Sequence, residues 1–537
     1  MPTFSLNGQT IPFEKGDTIM RAAWRAGIEI PHYCWHPGLS IAANCRMCLV
    51  HIKSGRQMQM PIMRFDEKKG AYVPDTKPKL MPACQVEVHP DMEVDSVSED
   101  VEKAQHSVQE FLLLNHPVDC PICDQAGECK LQDYWLDHQA DLKRKRTEPV
   151  HKPKGVRFGE TIVYDAERCI MCTRCIRVCD ELVGDPVLDM RERGNRNEIV
   201  LAPGRELDHD YTLMTEHVCP VGALTSRDFR FKARVWFLKS VEGVCSGCAT
   251  GCNTHVDYDS RYGKVYRLRP RDNMDVNKFW MCDDGMMTYT EVSEARVTTA
   301  TIGRGDEPEA VLPEEAIDDV ALRLEQTEGA KIGFVFSALH SSEDNYALAR
   351  LAEAVGAEKR YLAARPDWKG DDILRSTDHN PNRAGALAAA GGSLEDTEDL
   401  IQDVMAGEVE ALVVLGAICE EDAAQLEPLL KLETLICLTP NDGPLSDLAS
   451  IVLPVASWAE SFGTFVNGKG MAQTFQRAIP APAGVEPAWK TIAQIAEELD
   501  SPLGFTRVAD VRAALAQSAA AATPSPAPAS AAPAPAE

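Results

Sequence analysis

Residues 168–180 read RCIMCTRCIRVCD, with Cys169, Cys172, Cys175 and Cys179 separated by two, two and three residues. Thiolates at that spacing hold iron–sulfur clusters, although the proline that ordinarily follows the last cysteine is here Asp180. The next cysteine along the chain, Cys219, does precede a proline, in HVCPVGALTS.

In two-cluster ferredoxins the fourth cysteine of each run ligates the cluster of the other run. Applied here, a second run ending at Cys219 would place its other three cysteines at His209, Thr212 and Thr215, and none of these carries sulfur. The reading we prefer is that the second cluster is lost. Cys219 then completes a 4Fe-4S site with Cys169, Cys172 and Cys175, and Cys179 has no metal to bind. Cys179 as ligand with Cys219 spare is the alternative, and His209 alone reads as an ordinary histidine.

Upstream, NHPVDCPICDQAGEC sets His116 before Cys120 with three residues between them, and Cys123 and Cys129 close behind. Three thiolates need a fourth ligand, and His116 is near enough to supply it; the other reading is a histidine in a turn before Pro117. Further back, FSLNGQTIPF carries an Asn-Gly hairpin signal, and IMRAAWRAGI, preceded by Asp17 and Thr18 as caps, predicts a helix ending at a glycine. The loop PHYCWHPGLSIAANCRMC follows. Strand, strand, helix and cysteine loop is the order of a β-grasp ferredoxin domain. Cys34, Cys45 and Cys48 plus the distant Cys84 suit a 2Fe-2S cluster better than zinc, which usually takes two short pairs. Downstream, VCSGCATGC and WMCDDG supply Cys245, Cys248, Cys252 and Cys282. Spacing alone leaves zinc or 4Fe-4S open there, and context favours iron.

All 537 residues, at about 150 per domain, predict three to four domains. Sixteen of the 18 cysteines precede residue 283, leaving only Cys419 and Cys437, which read as small buried residues. Such cysteine usage, no apolar run near the roughly 18 residues of a membrane helix and no signal-peptide pattern predict an intracellular chain without a transmembrane segment. The net charge of −27 argues against nucleic acid or an anionic membrane surface as partner. Beyond residue 296 KIGFVF, EALVVLGA and TLICLTP alternate with helical stretches such as SSEDNYALARLAEAVGA, which predicts a parallel α/β sheet. Neither G-x-G-x-x-G after a strand nor a P-loop occurs. The Ala/Pro-rich end predicts a disordered tail.

The four cysteine motifs, in this order, resemble the large iron–sulfur subunit of NADH:quinone oxidoreductase, respiratory complex I, over about residues 1–295. SWAESFGTFVNGKGMAQ resembles a recurrent segment of the molybdopterin oxidoreductases. The fold expected is multidomain α+β and α/β: a 2Fe-2S ferredoxin-like β-grasp domain (1–95), a His/Cys3 4Fe-4S module (96–140) and a 4Fe-4S ferredoxin-like domain (141–235). A molybdopterin-oxidoreductase-type 4Fe-4S domain (236–295), a shortened, degenerate molybdopterin-oxidoreductase α/β domain (296–514) and the tail (515–537) complete it. The resemblance implies one 2Fe-2S and three 4Fe-4S clusters, no molybdopterin and no catalytic site of its own. Electrons would enter from a flavin-bearing NADH-oxidising subunit at the 2Fe-2S cluster, pass to the Cys169 cluster and then to the His116 cluster. They would leave toward a ferredoxin-like 4Fe-4S subunit nearer the membrane. It further implies other peripheral-arm partners and a cytoplasmic location against the inner face of the membrane. The rivals are the electron-transfer subunit of a soluble NAD-linked hydrogenase or formate dehydrogenase, a self-contained molybdopterin enzyme and a zinc scaffold. Cys179 departs from the family pattern, and the second half is short for it.

Overall fold

The computed structural model describes residues 1–54, 63–74, 80–138, 148–304, 308–418 and 423–522. Asn7 and Gly8 both take positive φ, 52° and 81°, the twist that a two-residue hairpin needs between the antiparallel strands Thr3–Leu6 and Gln9–Pro12. Thr18 Oγ1 accepts from the Arg21 amide at 3.2 Å and starts the helix Ile19–Arg25, which Gly27 ends at φ 70°. The helix buries Ile19, Met20, Ala22 and Ala23 with Phe4, Leu6, Val50 and Val94 of the sheet. That sheet runs Gln9–Pro12, Thr3–Leu6, Glu93–Asp95, Leu49–Ser54, Leu80–Pro82, with Thr3–Leu6 and Glu93–Asp95 parallel. A mixed sheet grasping one helix is the expected ferredoxin-like domain.

The chain forms two compact units, residues 1–238 and 239–537. Within the first, the helices Glu99–Leu113 and Lys130–His138 are joined by Gln109, whose side-chain amide donates to the Leu131 carbonyl at 2.8 Å, and both reach the first domain. Gln109 Oε1 accepts from the Tyr33 hydroxyl, and the Tyr134 hydroxyl donates to Glu29 at 2.8 Å. The rest of this unit carries the three-stranded sheet Val156–Arg157, Ile162–Tyr164, Leu224–Ser226 and the hairpin Leu188–Arg191, Glu198–Leu201.

The second unit opens with an antiparallel meander, Lys239–Val244, Asn253–Asp259, Lys264–Pro270. A seven-stranded sheet follows. Its five parallel strands lie in the order Lys359–Ala363, Ile332–Ser337, Ala411–Leu415, Thr434–Thr439, Ile451–Pro454, extended antiparallel by Ala300–Ile302 and Glu309–Val311. Both faces are covered, so the strands read as continuous apolar runs. Phe334, Val413, Ile436 and Leu453 point to helices Pro313–Gln326, Ser342–Ala354 and Ala488–Glu498, whereas Val335, Leu412, Leu435 and Val452 pack with Leu400, Val404, Leu426 and Leu429. Ser341 and Asp344 make a reciprocal cap on Ser342–Ala354. Cys437 is buried in its strand, and Cys419 lies outside the described residues.

One boundary needs correction. The helix Val508–Ala522 runs through the first eight residues of the expected tail, because AQSAAAA is alanine-rich and alanine is the strongest helix former. The Ala/Pro stretch from 523 onward lies outside the described residues. Among the described residues no helix is long and apolar enough to cross a membrane.

Candidate metal centres

Cys169, Cys172, Cys175 and Cys219 line one small cavity, walled by Ile170, Ile199, Val221, Ala223 and Leu224. The first three come from the loop into the short helix Arg174–Arg177, and the fourth from the turn that leaves the helix Thr212–His217. Left-handed Met171 (φ 55°) and Thr173 (φ 62°) fold that loop around the cavity. The Met171 amide points at Cys169 Sγ at 3.4 Å, and the Tyr164 hydroxyl, which accepts from the Ile199 amide at 3.1 Å, also bonds that sulfur. Burial pushes all four thiols up, Cys169 to about 11. They therefore hold protons that a metal must displace.

Cys179 does not line that cavity. It sits buried in the π-helical turn Val178–Val183, its Sγ 3.5 Å from His209 Nε2. Burial first, then the nearby carboxylates of Asp180 and Asp185, hold its thiol up at about 12, and burial lowers His209. The pair is thus a neutral thiol beside a neutral imidazole. His209 is the residue at which the spacing put the first position of the missing run.

In the first domain the four thiols touch in two pairs, Cys34 with Cys45 and Cys48 with Cys84. The hydrogen bond from Cys45 holds Cys34 down at about 5, and the same bond with burial raises Cys45. The Ala83 amide donates to the Cys48 carbonyl at 2.8 Å, drawing the remote Cys84 segment onto the loop.

In the second module Cys120 opens the turn Cys120–Ile122 and Cys129 precedes the helix Lys130–His138. Arg234 donates to the Cys123 and Pro121 carbonyls, both at 2.6 Å, and fixes this loop. Burial raises Cys123 and Cys129, the latter to about 11. His116 lies partly buried in the turn after the helix Glu99–Leu113. Gly222 packs against this loop: a Cβ there would fall 2.5 Å from Cys123 Sγ and 3.0 Å from Gln125 Cβ.

Cys245, Cys248, Cys252 and Cys282 are all buried in the second unit. The Gly247 amide approaches Cys245 Sγ at 3.3 Å and the Gly285 amide approaches Cys282 Sγ at 3.4 Å. A Cβ on Gly285 would sit 3.1 Å from one of these sulfurs and 3.3 Å from the other, so glycine leaves the cradle open. Donor sets of thiols alone, amides aimed at sulfur and apolar walls fit iron–sulfur clusters. Among the described residues no three His, Cys, Asp or Glu side chains converge closely enough for a single ion. One ion imposes that convergence; a cage spreads its ligands by its own width.

The sequence reading singled out cysteines and missed the arginines between them. Arg174 and Arg177 are buried, 5% and 8% exposed, and their guanidinium groups bond backbone carbonyls of the first domain's cysteine loop. The signal was in plain view: RCIMCTRCIRVC interleaves cations with thiols.

The second unit also holds a cavity of about 480 Å³ at the carboxyl ends of the parallel strands. Numbered along the chain, those strands lie 2-1-3-4-5, and the cavity takes residues from the loops after the first and third, where the order reverses. Its wall includes Ser246, next to Cys245, the half-buried His340 and the buried Asp344. Burial lowers His340 to about 4 and raises Asp344 to about 6. Asp344 fills the helix N-terminus there through Ser341, and Arg365 is paired with Glu291 at 3.1 Å.

Comparison with known proteins agrees with this layout. A 2Fe-2S iron–sulfur cluster binding domain matches residues 1–99, the NADH-ubiquinone oxidoreductase-G iron–sulfur binding region 105–144, and the ferredoxin-like domain of NADH-quinone oxidoreductase subunit 3 159–225. A molybdopterin oxidoreductase domain matches 362–498. The G subunit of the NADH-quinone oxidoreductase of Mycobacterium bovis is 34% identical over 68% of this chain and 43% of its own length. The NADH-ubiquinone oxidoreductase 75 kDa subunit of Reclinomonas americana is 33% identical over 70% of this chain and 52% of its own. The mitochondrial NADH dehydrogenase [ubiquinone] iron–sulfur protein 1 of Solanum tuberosum is 32% identical over 74% and 51%. The aligned part thus spans about half the length of these curated relatives. A solved NAD+-reducing [NiFe]-hydrogenase structure in the H2-reduced state is 26% identical over 44% of this chain and 91% of its own, with a TM-score of 0.36, too low to carry an argument. Three iron–sulfur modules thus precede a molybdopterin-oxidoreductase domain in this chain, and over about two thirds of its length it is similar, at 32–34% identity, to NADH-quinone oxidoreductase G subunits and their 75 kDa counterparts.

Proposed function

We propose that this chain is the iron–sulfur electron-transfer subunit of an NADH:quinone oxidoreductase and contains no substrate site of its own. The observation that carries the reading is the single cavity lined by Cys169, Cys172, Cys175 and Cys219, together with the separate thiol sets at Cys34, Cys45, Cys48, Cys84 and at Cys120, Cys123, Cys129 within one compact unit. Cys34, Cys45, Cys48 and Cys84 would hold a 2Fe-2S cluster. Three 4Fe-4S clusters would be held by His116 with Cys120, Cys123 and Cys129, by Cys169, Cys172, Cys175 and Cys219, and by Cys245, Cys248, Cys252 and Cys282. Once bound, these groups supply one-electron relay from a flavin-bearing NADH-oxidising subunit toward a ferredoxin-like subunit nearer the membrane, with the Cys245 set off the path.

The protein's own residues do the rest. Ile170, Ile199, Val221 and Leu224 keep water from the Cys169 site, and the Met171 amide and Tyr164 hydroxyl stabilise sulfur that carries negative charge. The parallel-sheet domain serves as structure. Its strand-end helix N-terminus is capped by Asp344 and its Arg365 is paired with Glu291, so these two groups are not open to an anionic pterin nucleotide. The complex would sit at the inner face of the membrane, with this chain attached through its partners.

Metal and acid-labile sulfide analysis of anaerobically purified protein tests the assignment. About 14 iron atoms per chain, no stoichiometric zinc and no molybdenum, tungsten or pterin are expected. Iron near ten with one zinc would make the Cys245 set a zinc site, and stoichiometric pterin would return the second unit to catalysis.

A further inference from the structure

Arg174 and Arg177 each reach across two cysteine loops at once. Arg177 donates through Nη2 to the carbonyls of Cys34 at 2.5 Å and Cys172 at 3.3 Å, and through Nη1 to the carbonyl of Ser40. Arg174 donates through Nη2 to the carbonyl of Trp35 and through Nη1 to that of Val218 at 3.2 Å. Trp35 follows Cys34, and Val218 precedes Cys219. The contact is reinforced by Asn44, which donates to the Met171 carbonyl at 3.1 Å, and by the Ser40 amide, which donates to Glu181 at 2.8 Å.

No ion pair of either guanidinium with a carboxylate occurs among the described residues; Arg174 feels the thiols of Cys172, Cys34 and Cys219 and the cations Arg177 and Lys130. Cys34 and Cys172 in turn feel Arg177. Two cations buried without a counter-charge are costly unless an anion stands beside them. Four thiolates around iron are such an anion, and two sets of them flank this pair.

We infer that Arg174 and Arg177 are positioning residues shared by the Cys34 and Cys169 centres: their charge raises the potential of both, and their paired hydrogen bonds fix the spacing between them. The inference rests on the electron-transfer reading above. A cation near a cluster favours the reduced, more negative state, so losing it lowers the midpoint potential. The effect should fall on two centres together and spare the Cys245 set, to which neither arginine bonds among the described residues.

The test is a redox titration of the full chain with its clusters, followed by electron paramagnetic resonance, for wild type, Arg177→Gln and Arg177→Lys. Arg177→Gln is expected to cut the reduced-to-oxidised ratio of both centres about tenfold at fixed potential, a shift of about 59 mV for one electron, with the Cys245 signal unmoved. Arg177→Lys keeps the charge and should stay within about threefold of wild type, while losing the bidentate bridge and slowing transfer between the two centres. Full cluster content with neither potential moved in Arg177→Gln, or all centres moved alike, would overturn the inference. So would a tenfold change in Arg177→Lys, which also decides the matter should Arg177→Gln lose a cluster. Wild-type protein without iron and sulfide would instead defeat the electron-transfer reading itself.

Discussion

Two cavities of this molecule are built on different principles. The cavity around Cys169 is small, walled by aliphatic side chains, and its polar atoms are sulfur. The cavity above the parallel sheet is large, and in its wall Ser341 donates to Asp344 and Arg365 pairs with Glu291. The first gathers four buried thiols held above their ordinary range. In the wall of the second, Ser246 Oγ, Ser457 Oγ and Trp458 Nε1 are buried without a hydrogen-bond partner among the described residues. The contrast extends to the cores: the parallel-sheet unit carries apolar layers on both faces of one sheet, whereas the core of the first domain includes the thiols of Cys48 and Cys84 themselves.

The largest consequence is a difference in metal dependence. Stripping iron with a chelator at neutral pH should make residues 1–238 protease-sensitive in the full chain while fragments covering about 300–510 survive. Equal resistance of both halves after complete iron loss would break the comparison.

Next in size is the contrast between two cysteines of one run. Cys219→Ser removes a wall of the Cys169 cavity, and its paramagnetic signal should vanish or convert to a three-iron form, with electron flow from NADH collapsing alongside. Cys179→Ser, at the His209 contact, should keep every cluster signal. The reverse pattern would exchange the two assignments.

These two positions also show what the sequence could and could not reveal. Runs of cysteine are legible because metal chemistry restricts ligand type and spacing, and the hairpin, the capped helices and the buried parallel strands are legible because backbone geometry leaves a narrow choice of residues. The Cys179–His209 contact is not legible, because nothing local requires a helical turn at 178–183 to face residue 209. Arg174 and Arg177 escaped for a related reason: their partners in the first domain are backbone carbonyls more than 100 residues away, which any sequence presents. The tail boundary failed on composition, since alanine favours a helix until proline stops it.

A smaller effect sharpens the view of the large cavity. His340 is held near 4, below its ordinary 6.5, so its neutral folded form loses stability as pH falls from 6.5 toward 4. Asp344 is held near 6, above 3.8, so its protonated folded form loses stability as pH rises from 3.8 toward 6. The two slopes oppose one another in wild type. His340→Gln should leave stability falling with pH across that window, and Asp344→Asn should leave it rising; denaturant midpoints at pH 4, 5 and 6 read both signs. Parallel profiles for the two variants would show that neither group is shielded from solvent.

The smallest effect is expected at Cys437, whose Sγ approaches the Gly416 carbonyl at 3.4 Å within the apolar sheet. Cys437→Ala should cost about 1 kcal/mol of unfolding free energy and leave every cluster signal intact. A loss of iron in that variant would place metal chemistry where the structure has only packing.

Gly222 gives the first unit a property that no side chain could. With no Cβ, the backbone after Cys219 closes directly on Cys123, so two thiol sets that would hold different clusters are separated by a strip of main chain rather than by a packed layer. Electron tunnelling weakens exponentially with the thickness of the barrier, and a methyl group at Gly222 would push the Cys123 loop away from the backbone that follows Cys219. The speed of a relay can therefore be written into a protein at a residue that touches no metal and carries no charge.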